Sequence, residues 1–478
     1  MQVRFGTTGC RLNQIESESA AHFFYDKSFS VSLEPLTAKS QNDLECLVCV
    51  INTCSVTQKA EQKDRRIIRL YLEKCPNATI IVTGCYAQLS PKIILAIDSR
   101  IAVLPGQNKS RLAQIPSILA ENLDSFNPVN FAKSLNESIF NIDSKNLGKS
   151  EDAFKLSTDS FLAHSRSSIK IQDGCNNNCT YCTINKARGH SVSLAPKEVI
   201  HRVKKLEEVG QNEVVFTTVN IGQYCGEYNG RNINFAQLLE LCLEHTRNIS
   251  FRISSLYPEV VDDYFCSVIK NPRVCPHFHI SVQSGSDDVL RRMARRYSSQ
   301  DVVSACAKLR LAKENPFIAC DIITGFPGET EQDFCKTMEL CEKCNFSWVH
   351  VFPFSERPGT LAAKMDNKVP QFISGERAKQ LSHWAENSKK EFIESCCGKI
   401  YDAILETVNH SLLFNAGEGK TAFHAVTENF LHCKIIALES KCSNLRQGQR
   451  IKVKIIAPIQ QGIQKGGESD CIAEFYKI

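Results

Sequence analysis

A chain of 478 residues is too long for a single hydrophobic core, and its length predicts about two to four domains. Its hydrophobic content of 42% and charged content of 23% are typical of a soluble globular protein. No apolar run approaches the roughly 18–20 residues that a membrane span needs, and the start, MQVRFGTTGC, is typical of a strand rather than a signal peptide. We therefore expect a cytoplasmic protein with no membrane partner. The net charge of +5 permits an RNA partner without establishing one.

Residues 1–121 alternate short β-strand patterns with amphipathic stretches. This alternation predicts an α/β domain built on a doubly wound parallel sheet. The predicted strands are Val3–Thr7, Leu47–Asn52 and Thr79–Thr83, and the predicted helices are Gln14–Phe24 and Glu61–Leu72. Residues 122–166 become rich in Asn, Ser, Asp and Lys with little periodicity. That composition predicts a linker or a surface excursion.

A second alternating region covers residues 167–396. Its six predicted strands, separated by helical segments, favour a partial (β/α) barrel, because a complete barrel has eight strands. These strands are Ser168–Gln172, Glu213–Thr218, Ser250–Ile253, His277–Val282, Phe317–Thr324 and Trp348–Phe352. In residues 397–478 closely spaced strands with turn signals favour a small β-barrel. These strands are Tyr401–Glu406, Thr421–Val426, Leu431–Ala437 and Arg450–Ile456.

Three of the 23 cysteines share one placement, since Cys10, Cys54 and Cys85 each closely follow a predicted strand. In an open parallel sheet the loops beyond the carboxyl ends of the strands converge on one edge, where ligands bind. The sequence therefore favours a thiolate cluster site at that edge; the alternative is three strand-end turns that happen to carry cysteine. Most other cysteines lie in apolar runs such as residues 44–51, where cysteine behaves as a small hydrophobe.

Cys175, Cys179 and Cys182 form a C-x3-C-x2-C motif directly after the first strand of the barrel-like region. Thiolates hold iron–sulfur clusters, and four ligands saturate a [4Fe–4S] cube, so three cysteines leave one iron open. An open iron can chelate S-adenosylmethionine, and electron transfer then breaks a carbon–sulfur bond of that cofactor. We therefore treat these three cysteines as catalytic. Zinc is the structural alternative, but it normally takes four Cys or His ligands, and His190 lies eight residues beyond Cys182.

The C-x3-C-x2-C motif resembles the signature of the radical S-adenosylmethionine superfamily. Other segments, spread over nearly the whole chain, resemble the methylthiotransferase family within it. These segments are TTGCRLNQIESE, INTCSVTQKAE, VTGCYAQ, KIQDGCNNNCTYC, HISVQSGSDDVLRRMARRY, DIITGFPGET and HVFPFSERPGT. The words GCRLNQIES, NTCSVTQKA, GCYAQ and HVFPFSERPGTLAAKM resemble the type that acts on N(6)-threonylcarbamoyladenosine in tRNA.

The resemblance implies an N-terminal methylthiotransferase domain over 1–121, a radical S-adenosylmethionine domain over 167–396 and a TRAM-like RNA-binding domain over 397–478. It implies two [4Fe–4S] clusters as cofactors beside S-adenosylmethionine, which serves as methyl donor and radical source. The implied metal ligands are Cys10, Cys54 and Cys85 for an auxiliary cluster and Cys175, Cys179 and Cys182 for the cleaving cluster. The implied partners are the anticodon loop of tRNA, a reducing electron donor and a sulfur source.

The implied reaction is methylthiolation at C2 of N(6)-threonylcarbamoyladenosine next to the anticodon. Two related alternatives are methylthiolation of N(6)-isopentenyladenosine in tRNA and modification of a ribosomal protein. A third alternative, from another class, is an iron–sulfur or zinc protein that binds RNA without catalysis. Cleavage of S-adenosylmethionine to 5′-deoxyadenosine separates the enzymes from this last alternative.

Polar residues at strand ends of the barrel-like region are candidates for binding the cofactor, because strand ends line the active site in such barrels. These residues are Asn220, Ser254 and Gln283, and Arg188 in the ARG word beyond the cysteines could pair with a carboxylate. A turn or cap role is the alternative for the first three, and a surface arginine is the alternative for Arg188. The sequence TINKARG and the residue Tyr257 depart from the family pattern.

Two basic groups are candidates for RNA contact. On a helix, i and i+4 spacing would place four arginines on shared faces, where they could meet phosphates; the alternative is a solvated helix face. These arginines are Arg291, Arg292, Arg295 and Arg296. In the TRAM-like region, Lys452 and Lys454 occupy alternate strand positions and could also meet backbone phosphate.

Overall fold

The first part of the chain folds around a five-stranded parallel sheet with strand order β2-β1-β3-β4-β5. The computed structural model describes residues 1–140, 153–156, 166–407, 420–438, 445–459 and 469–477. The elements of the first part are β1 (Gln2–Thr7), α1 (Arg11–Tyr25), β2 (Ser30–Ser32), β3 (Cys46–Thr53), α2 (Gln58–Lys74), β4 (Thr79–Gly84), α3 (Cys85–Leu89), α4 (Pro91–Leu95), β5 (Ile101–Val103), α5 (Ile115–Glu121) and α6 (Pro128–Glu137). Every residue of β4 is buried, as expected for a parallel strand covered by helices on both faces.

Part of the predicted linker, residues 122–166, is helical. Helix α6 begins at the side-chain cap of Asn127 and packs its apolar residues into the core under the sheet. Phe131 and Leu135 are four residues apart, so they lie on one face of the helix and both are buried. The N-terminal part therefore reaches Phe140, which is buried in the same core. Asn and Ser on the outer face of α6 hide this pattern in the sequence.

Six parallel strands form the central part and alternate with helices. Two three-stranded sheets, β6-β9-β12 and β13-β14-β15, are joined by an isolated bridge between Leu256 and Ile280, which gives the predicted partial barrel. The elements are β6 (Ser167–Lys170), β7 (Gln172–Asp173), α7 (Ile184–Arg188), β8 (Val192–Ser193), α8 (Pro196–Glu208), β9 (Glu213–Thr217), β10 (Gly226–Tyr228), β11 (Arg231–Ile233), α9 (Phe235–His245), β12 (Ser250–Ile253), α10 (Asp263–Ile269), β13 (His277–Gln283), α11 (Asp287–Arg292), α12 (Ser299–Ala312), β14 (Phe317–Thr324), α13 (Glu331–Cys344), β15 (Trp348–Pro353) and α14 (Gln371–Cys396).

The last part is a closed five-stranded barrel with strand order β16-β17-β18-β20-β19, so the predicted small β-barrel is confirmed. Its strands are β16 (Ile400–Thr407), β17 (Lys420–Thr427), β18 (His432–Leu438), β19 (Arg450–Pro458) and β20 (Cys471–Lys477). The barrel closes because β20 pairs with both β18 and β19. Among the described residues, no helix combines the length and apolar character that a bilayer span requires.

A buried arginine of the central part fixes the barrel on this part. The Arg252 guanidinium, 1% exposed, pairs with Glu213 at 2.8 Å and donates to the carbonyl oxygens of Thr427 and Glu428 at 3.1 Å. A charged side chain buried this deeply is tolerated because its guanidinium is both ion-paired and hydrogen-bonded. These contacts hold the turn after β17 against β9 and β12.

Candidate active site

The first cysteine group lies at the carboxyl edge of the N-terminal sheet. Cys10 follows β1, Cys54 directly follows β3, and Cys85 directly follows β4 as the first residue of α3. The strand register pairs Thr7 with Asn52 and Thr53 with Gly84, so the three strands end side by side. The structure thus brings this predicted group to one edge, as the sequence argument expects.

Two glycines allow the cysteine loops to approach each other. Gly9 has a φ of +87°, and a Cβ added there would lie 2.7 Å from Cys54 Sγ. Gly84 has a φ of +102°, and its added Cβ would lie 2.3 Å from the carbonyl oxygen of Thr53. Side chains at these positions would be both strained and too close to their neighbours. Glycine at these two positions therefore keeps the cysteine-bearing loops in contact.

The environment of the first group disfavours free thiolates. Burial raises the pKa of the Cys54 thiol to about 12, and the nearby Cys85 and Cys10 add to this effect. Burial also raises the pKa of Cys85, against the opposing charges of Arg188 and Lys109. A bound metal centre would reverse this preference, because ligating thiols lose their protons. Cys54 and Cys85 are therefore held as neutral thiols and would become thiolates on binding a metal centre.

The second cysteine group lies in the loop between β7 and α7. Each sulfur accepts a hydrogen bond from a different donor: the Asn177 amide reaches Cys175 Sγ at 3.4 Å, and the Ile184 amide reaches Cys182 Sγ at 3.4 Å. Cys179 Sγ accepts from Arg295 Nη1 at 3.3 Å. Hydrogen bonds of this kind stabilise negative charge on cluster sulfurs and tune cluster potentials.

The spacing of the sulfur atoms separates a cluster from a single ion. A tetrahedral zinc ion with bonds of about 2.3 Å would bring its sulfur ligands to about 3.8 Å from one another. In neither of the two cysteine groups do all three sulfur atoms lie within 4.8 Å of one another. The spacing in either group is therefore wider than a single zinc ion with three sulfur ligands requires.

The position of Arg295 contradicts the prediction that four arginines share the faces of one helix. Helix α11 ends at Arg292, and Ala294 has a φ of +58°, so the four arginines do not share one helix. Arg295 turns inward to Cys179 and to the hydroxyl of Tyr257, which it reaches at 3.2 Å, and it lies 4.9 Å from the centre of the Tyr257 ring. Arg291 is exposed and pairs with Asp288. The phosphate-binding prediction is therefore wrong for Arg295.

Asn220 is a strand-end candidate that lies beside the second cysteine group. Its amide nitrogen is 4.0 Å from Cys175 Sγ, while its oxygen caps the following turn by accepting from the Gly222 amide at 3.1 Å. Ser254 Oγ lies 3.0 Å from Thr218 Oγ1 just beyond β12, and Gln283 ends β13 with a φ of +72°. All three candidates lie at the carboxyl ends of barrel strands, and Asn220 also has the predicted cap role.

Arg188 lies in a buried ion network between the N-terminal and central parts. Its guanidinium donates to Asp173 at 3.0 Å, to Glu16 at 3.2 Å and to Asn13 at 2.8 Å. Lys170 donates to the same two carboxylates at 3.0 Å, and Lys109 donates to Glu16. Its observed partners are thus protein groups, so we place Arg188 in this network rather than among the cofactor contacts.

Helices next to the two cysteine groups meet at the interface between these parts. Helix α3, which begins with Cys85, packs against α7, which begins two residues after Cys182. The side-chain amide of Gln107 donates to the carbonyl oxygen of Lys186 in α7 at 3.2 Å. The side-chain ammonium of Lys186 donates to the carbonyl oxygen of Gly359 at 2.8 Å. The TINKARG segment, which departs from the family pattern, thus forms the bridge between the parts.

Known protein families match the N-terminal and the central part of the chain. The Radical SAM superfamily matches residues 169–341, and the Uncharacterized protein family UPF0004 matches residues 2–106. A relative of Treponema pallidum, the threonylcarbamoyladenosine tRNA methylthiotransferase MtaB, is 41% identical over 94% of this chain and 98% of its own length. The protein of the same name from Bacillus subtilis is 32% identical over 95% of this chain and 93% of its own length. A solved structure of TsrM, a radical S-adenosylmethionine methyltransferase from Kitasatospora setae, covers 88% of this chain and 80% of its own with 12% identity and a TM-score of 0.49.

The partial barrel, the C-x3-C-x2-C loop and the superfamily match define a radical S-adenosylmethionine enzyme that carries a second cysteine-bearing domain at its N-terminus. The full-length relatives narrow this class. The chain belongs to the MtaB family of threonylcarbamoyladenosine tRNA methylthiotransferases.

Proposed function

We propose that this chain methylthiolates C2 of N(6)-threonylcarbamoyladenosine next to the anticodon of tRNA. The observation that carries the proposal is the contact between α3 and α7, because it brings together helices that lie next to two separate cysteine groups in two parts. A sulfur donor and a radical source held on either side of one base convert an improbable encounter into an effectively unimolecular step. The names of the full-length relatives supply the substrate.

The residues divide between two sites. Cys175, Cys179 and Cys182 would hold the cleaving [4Fe–4S] cluster, and Cys10, Cys54 and Cys85 would hold the auxiliary one. When bound, the clusters and S-adenosylmethionine supply radical C–H activation and the methylated sulfur. The protein stabilises negative charge on the ligating sulfurs through two backbone amides and Arg295. Asn220, beside Cys175, is the strand-end residue best placed to bind the cofactor.

The tRNA base has to leave its stack to enter the space between the two parts. Extrusion is easier from an anticodon loop than from a duplex, because loop bases are unpaired. Lys452 and Lys454 alternate along β19 with the buried Ile451, Val453 and Ile455, so both lie on the outside of the barrel, where phosphates could bind. The proposal includes a cytoplasmic location, a reducing electron donor and a sulfur source.

The substrate test is nucleoside mass spectrometry on tRNA from a host that lacks its own methylthiotransferases, with and without this gene. The expected product is the 2-methylthio derivative of threonylcarbamoyladenosine. The isopentenyl derivative would keep the chemistry and overturn the substrate. Absence of both products would contradict a tRNA substrate and point to a protein substrate.

Two variants test the separate roles of the cysteine groups. Cys179→Ala is expected to abolish formation of 5′-deoxyadenosine from reduced enzyme and S-adenosylmethionine, because the cleaving cluster loses a ligand. Cys54→Ala is expected to retain this cleavage but to stop methylthio transfer. Continued cleavage in Cys179→Ala, or an unchanged iron content in Cys54→Ala, would contradict the ligand assignments.

A further inference from the structure

A third group of cysteines lies at the opposite edge of the N-terminal sheet. Cys46 and Cys49 belong to β3, and Cys75 is the C-cap of α2. Their three sulfur atoms all lie within 4.8 Å of one another, and all three residues are fully buried. Within the described part of the chain, this is the one place where three Cys, His, Asp or Glu ligand atoms come this close.

A β-bulge creates this third group. In a regular strand Cys46 and Cys49, three residues apart, would point to opposite faces of the sheet. The pairing of β3 with β1 shifts by one residue between Cys46 and Val48, so Leu47 is an extra residue. A bulge of this kind re-aims a side chain. Cys46 and Cys49 accordingly lie in the same core, while Val48 lies in the core on the other face.

This third group is separate from the proposed auxiliary site. Cys49 and Cys54 are five residues apart along an extended strand, which corresponds to roughly 16 Å at about 3.3 Å per residue. Cys54 lies at the carboxyl edge, whereas Cys46 begins the strand at the other edge. One metal centre therefore cannot use both sets of thiols.

The geometry of the group fits one thiophilic ion. Cys46 Sγ and Cys49 Sγ are 3.5 Å apart, close to the spacing of about 3.8 Å that tetrahedral zinc imposes on its sulfur ligands. The Asp43 carboxylate is not part of this set, because it accepts a hydrogen bond from the Cys46 amide at 3.1 Å and pairs with Arg4. Zinc binds to sets of three protein ligands when a water molecule completes the tetrahedron.

We propose that Cys46, Cys49 and Cys75 bind one zinc ion, with a water molecule as the fourth ligand. Binding releases the three thiol protons to solvent, so the site then carries three thiolates and Zn²⁺. The ion ties the end of α2 to the start of β3 and stabilises the folded domain, because zinc binds the folded state.

The contrast with other buried thiols supports a metal rather than simple packing. Cys433 and Cys471 also approach closely, with sulfur atoms 3.4 Å apart, but these two form a pair inside the C-terminal barrel. A pair of thiols fits the small-hydrophobe role of buried cysteine. Three thiols from two separate segments match the donor set of a zinc site.

The test is metal analysis of the full-length chain with the six candidate cluster ligands replaced by alanine, so that neither group can capture zinc. The replaced residues are Cys10, Cys54, Cys85, Cys175, Cys179 and Cys182. After growth with zinc, we expect about one zinc per chain, with a zinc-edge X-ray absorption spectrum showing sulfur at about 2.3 Å. Adding Cys75→Ser should lower bound zinc at least about tenfold, because the site loses a ligand. The control Cys242→Ser alters a lone buried thiol in another core and should leave the amount of bound zinc unchanged.

Three results would overturn the proposal: no zinc in the alanine background, unchanged zinc after Cys75→Ser, or iron in place of zinc. If the alanine background or Cys75→Ser fails to fold, the zinc-edge spectrum of the iron-loaded wild-type chain decides. Sulfur ligands around zinc in that spectrum would support the proposed zinc site, and a spectrum without them would contradict the proposal. Methylthiolation by the wild-type chain is measured separately, so failure of this site leaves the proposed function untouched.

Discussion

Arg295 is a barrel residue that contacts a proposed cluster ligand, Cys179. Replacing its guanidinium in Arg295→Met removes a charge-assisted hydrogen bond to Cys179 Sγ. Loss of such an outer contact typically costs about 10–100-fold in activity at a metal site. We therefore expect 5′-deoxyadenosine formation to fall by about that factor, with a more negative reduction potential of the cleaving cluster. Single-turnover cleavage and a redox titration followed by electron paramagnetic resonance measure the two effects.

The matched control for Arg295 is Arg291→Met. Arg291 lies in the same basic run, but its side chain is exposed and pairs with the exposed Asp288. The Arg291→Met variant should leave the rate of S-adenosylmethionine cleavage and the reduction potential of the cleaving cluster unchanged, with at most a small loss of tRNA affinity. Equal effects of the two variants would show that the basic run acts as one surface, as the sequence pattern suggests, and would contradict the inward role of Arg295.

Among individual residues, the sequence predicts the candidate cysteine ligands better than the side chains that contact them. Spacing and strand-end position single out all six candidate ligands, because these signals are local. Arg295 cannot be separated from its neighbours in RRMARR, since its direction depends on where α11 ends and on the backbone turn at Ala294. Glu16 lies in the polar word ESES, and its burial arises only when the central part covers α1.

Strand β16 contributes a pH-sensitive contact between the C-terminal barrel and the central part. Burial raises the pKa of Glu406, but the hydrogen bond with His432 and the charge of Arg166, 2.7 Å away, lower it to about 2. An unfolded glutamate has a pKa of about 4.3, so this contact contributes its full stability above that value. Its contribution is lost as the pH falls from about 4.3 towards 2.

Glu406→Gln should lower the free energy of unfolding by about 1.5–3 kcal/mol at pH 7, the range for hydrogen bonds to charged groups. The difference from wild type should shrink as the pH falls from about 4.3 to 2 and vanish below that. Fluorescence-detected urea unfolding of the metal-free chain reports on this region, because Trp348, one of two tryptophans, packs against the barrel core. Glu394→Gln, in an exposed pair with Lys390, is the control and should change stability by less than about 1 kcal/mol. A difference from wild type that does not change with pH would contradict the role of this ion pair.

Hydrophobic patterns predict two strands of the central part to the residue. The predicted Ser250–Ile253 and Phe317–Thr324 coincide with β12 and β14, because runs of β-branched and apolar residues bounded by polar turns leave little choice of bounds. Two missed strands, β2 and β5, have three residues each, too few to show a period. The missed β20 is longer, and its pairing with β18 spans 38 residues between Cys433 and Cys471, a non-local contact that no short window detects.

For the whole molecule, the buried network around Glu16 couples the two cysteine-bearing parts. Glu16, 2% exposed, accepts from Lys109 of its own part and from Lys170 and Arg188 of the central part. Burial raises the pKa of Glu16, but these cations hold it well below its usual range. With Asp173 the network holds two carboxylates against three cations. Removing one carboxylate therefore leaves buried positive charge uncompensated, which costs about 3–5 kcal/mol.

Glu16→Gln should loosen the interface while leaving each cysteine group in its own part. We expect 5′-deoxyadenosine formation to continue, while methylthio transfer falls at least about tenfold, since a misplacement of about 1 Å can cost a hundredfold. The ratio of 5′-deoxyadenosine to methylthiolated nucleoside measures this uncoupling. Adding Lys109→Met removes one cation and restores the original charge excess, so it should recover part of the transfer. Glu137→Gln, in an exposed pair with Lys133, should leave the ratio unchanged. If cleavage and transfer instead fall together in Glu16→Gln, and Lys109→Met rescues neither, the network supports folding of the whole chain rather than alignment of its two sites.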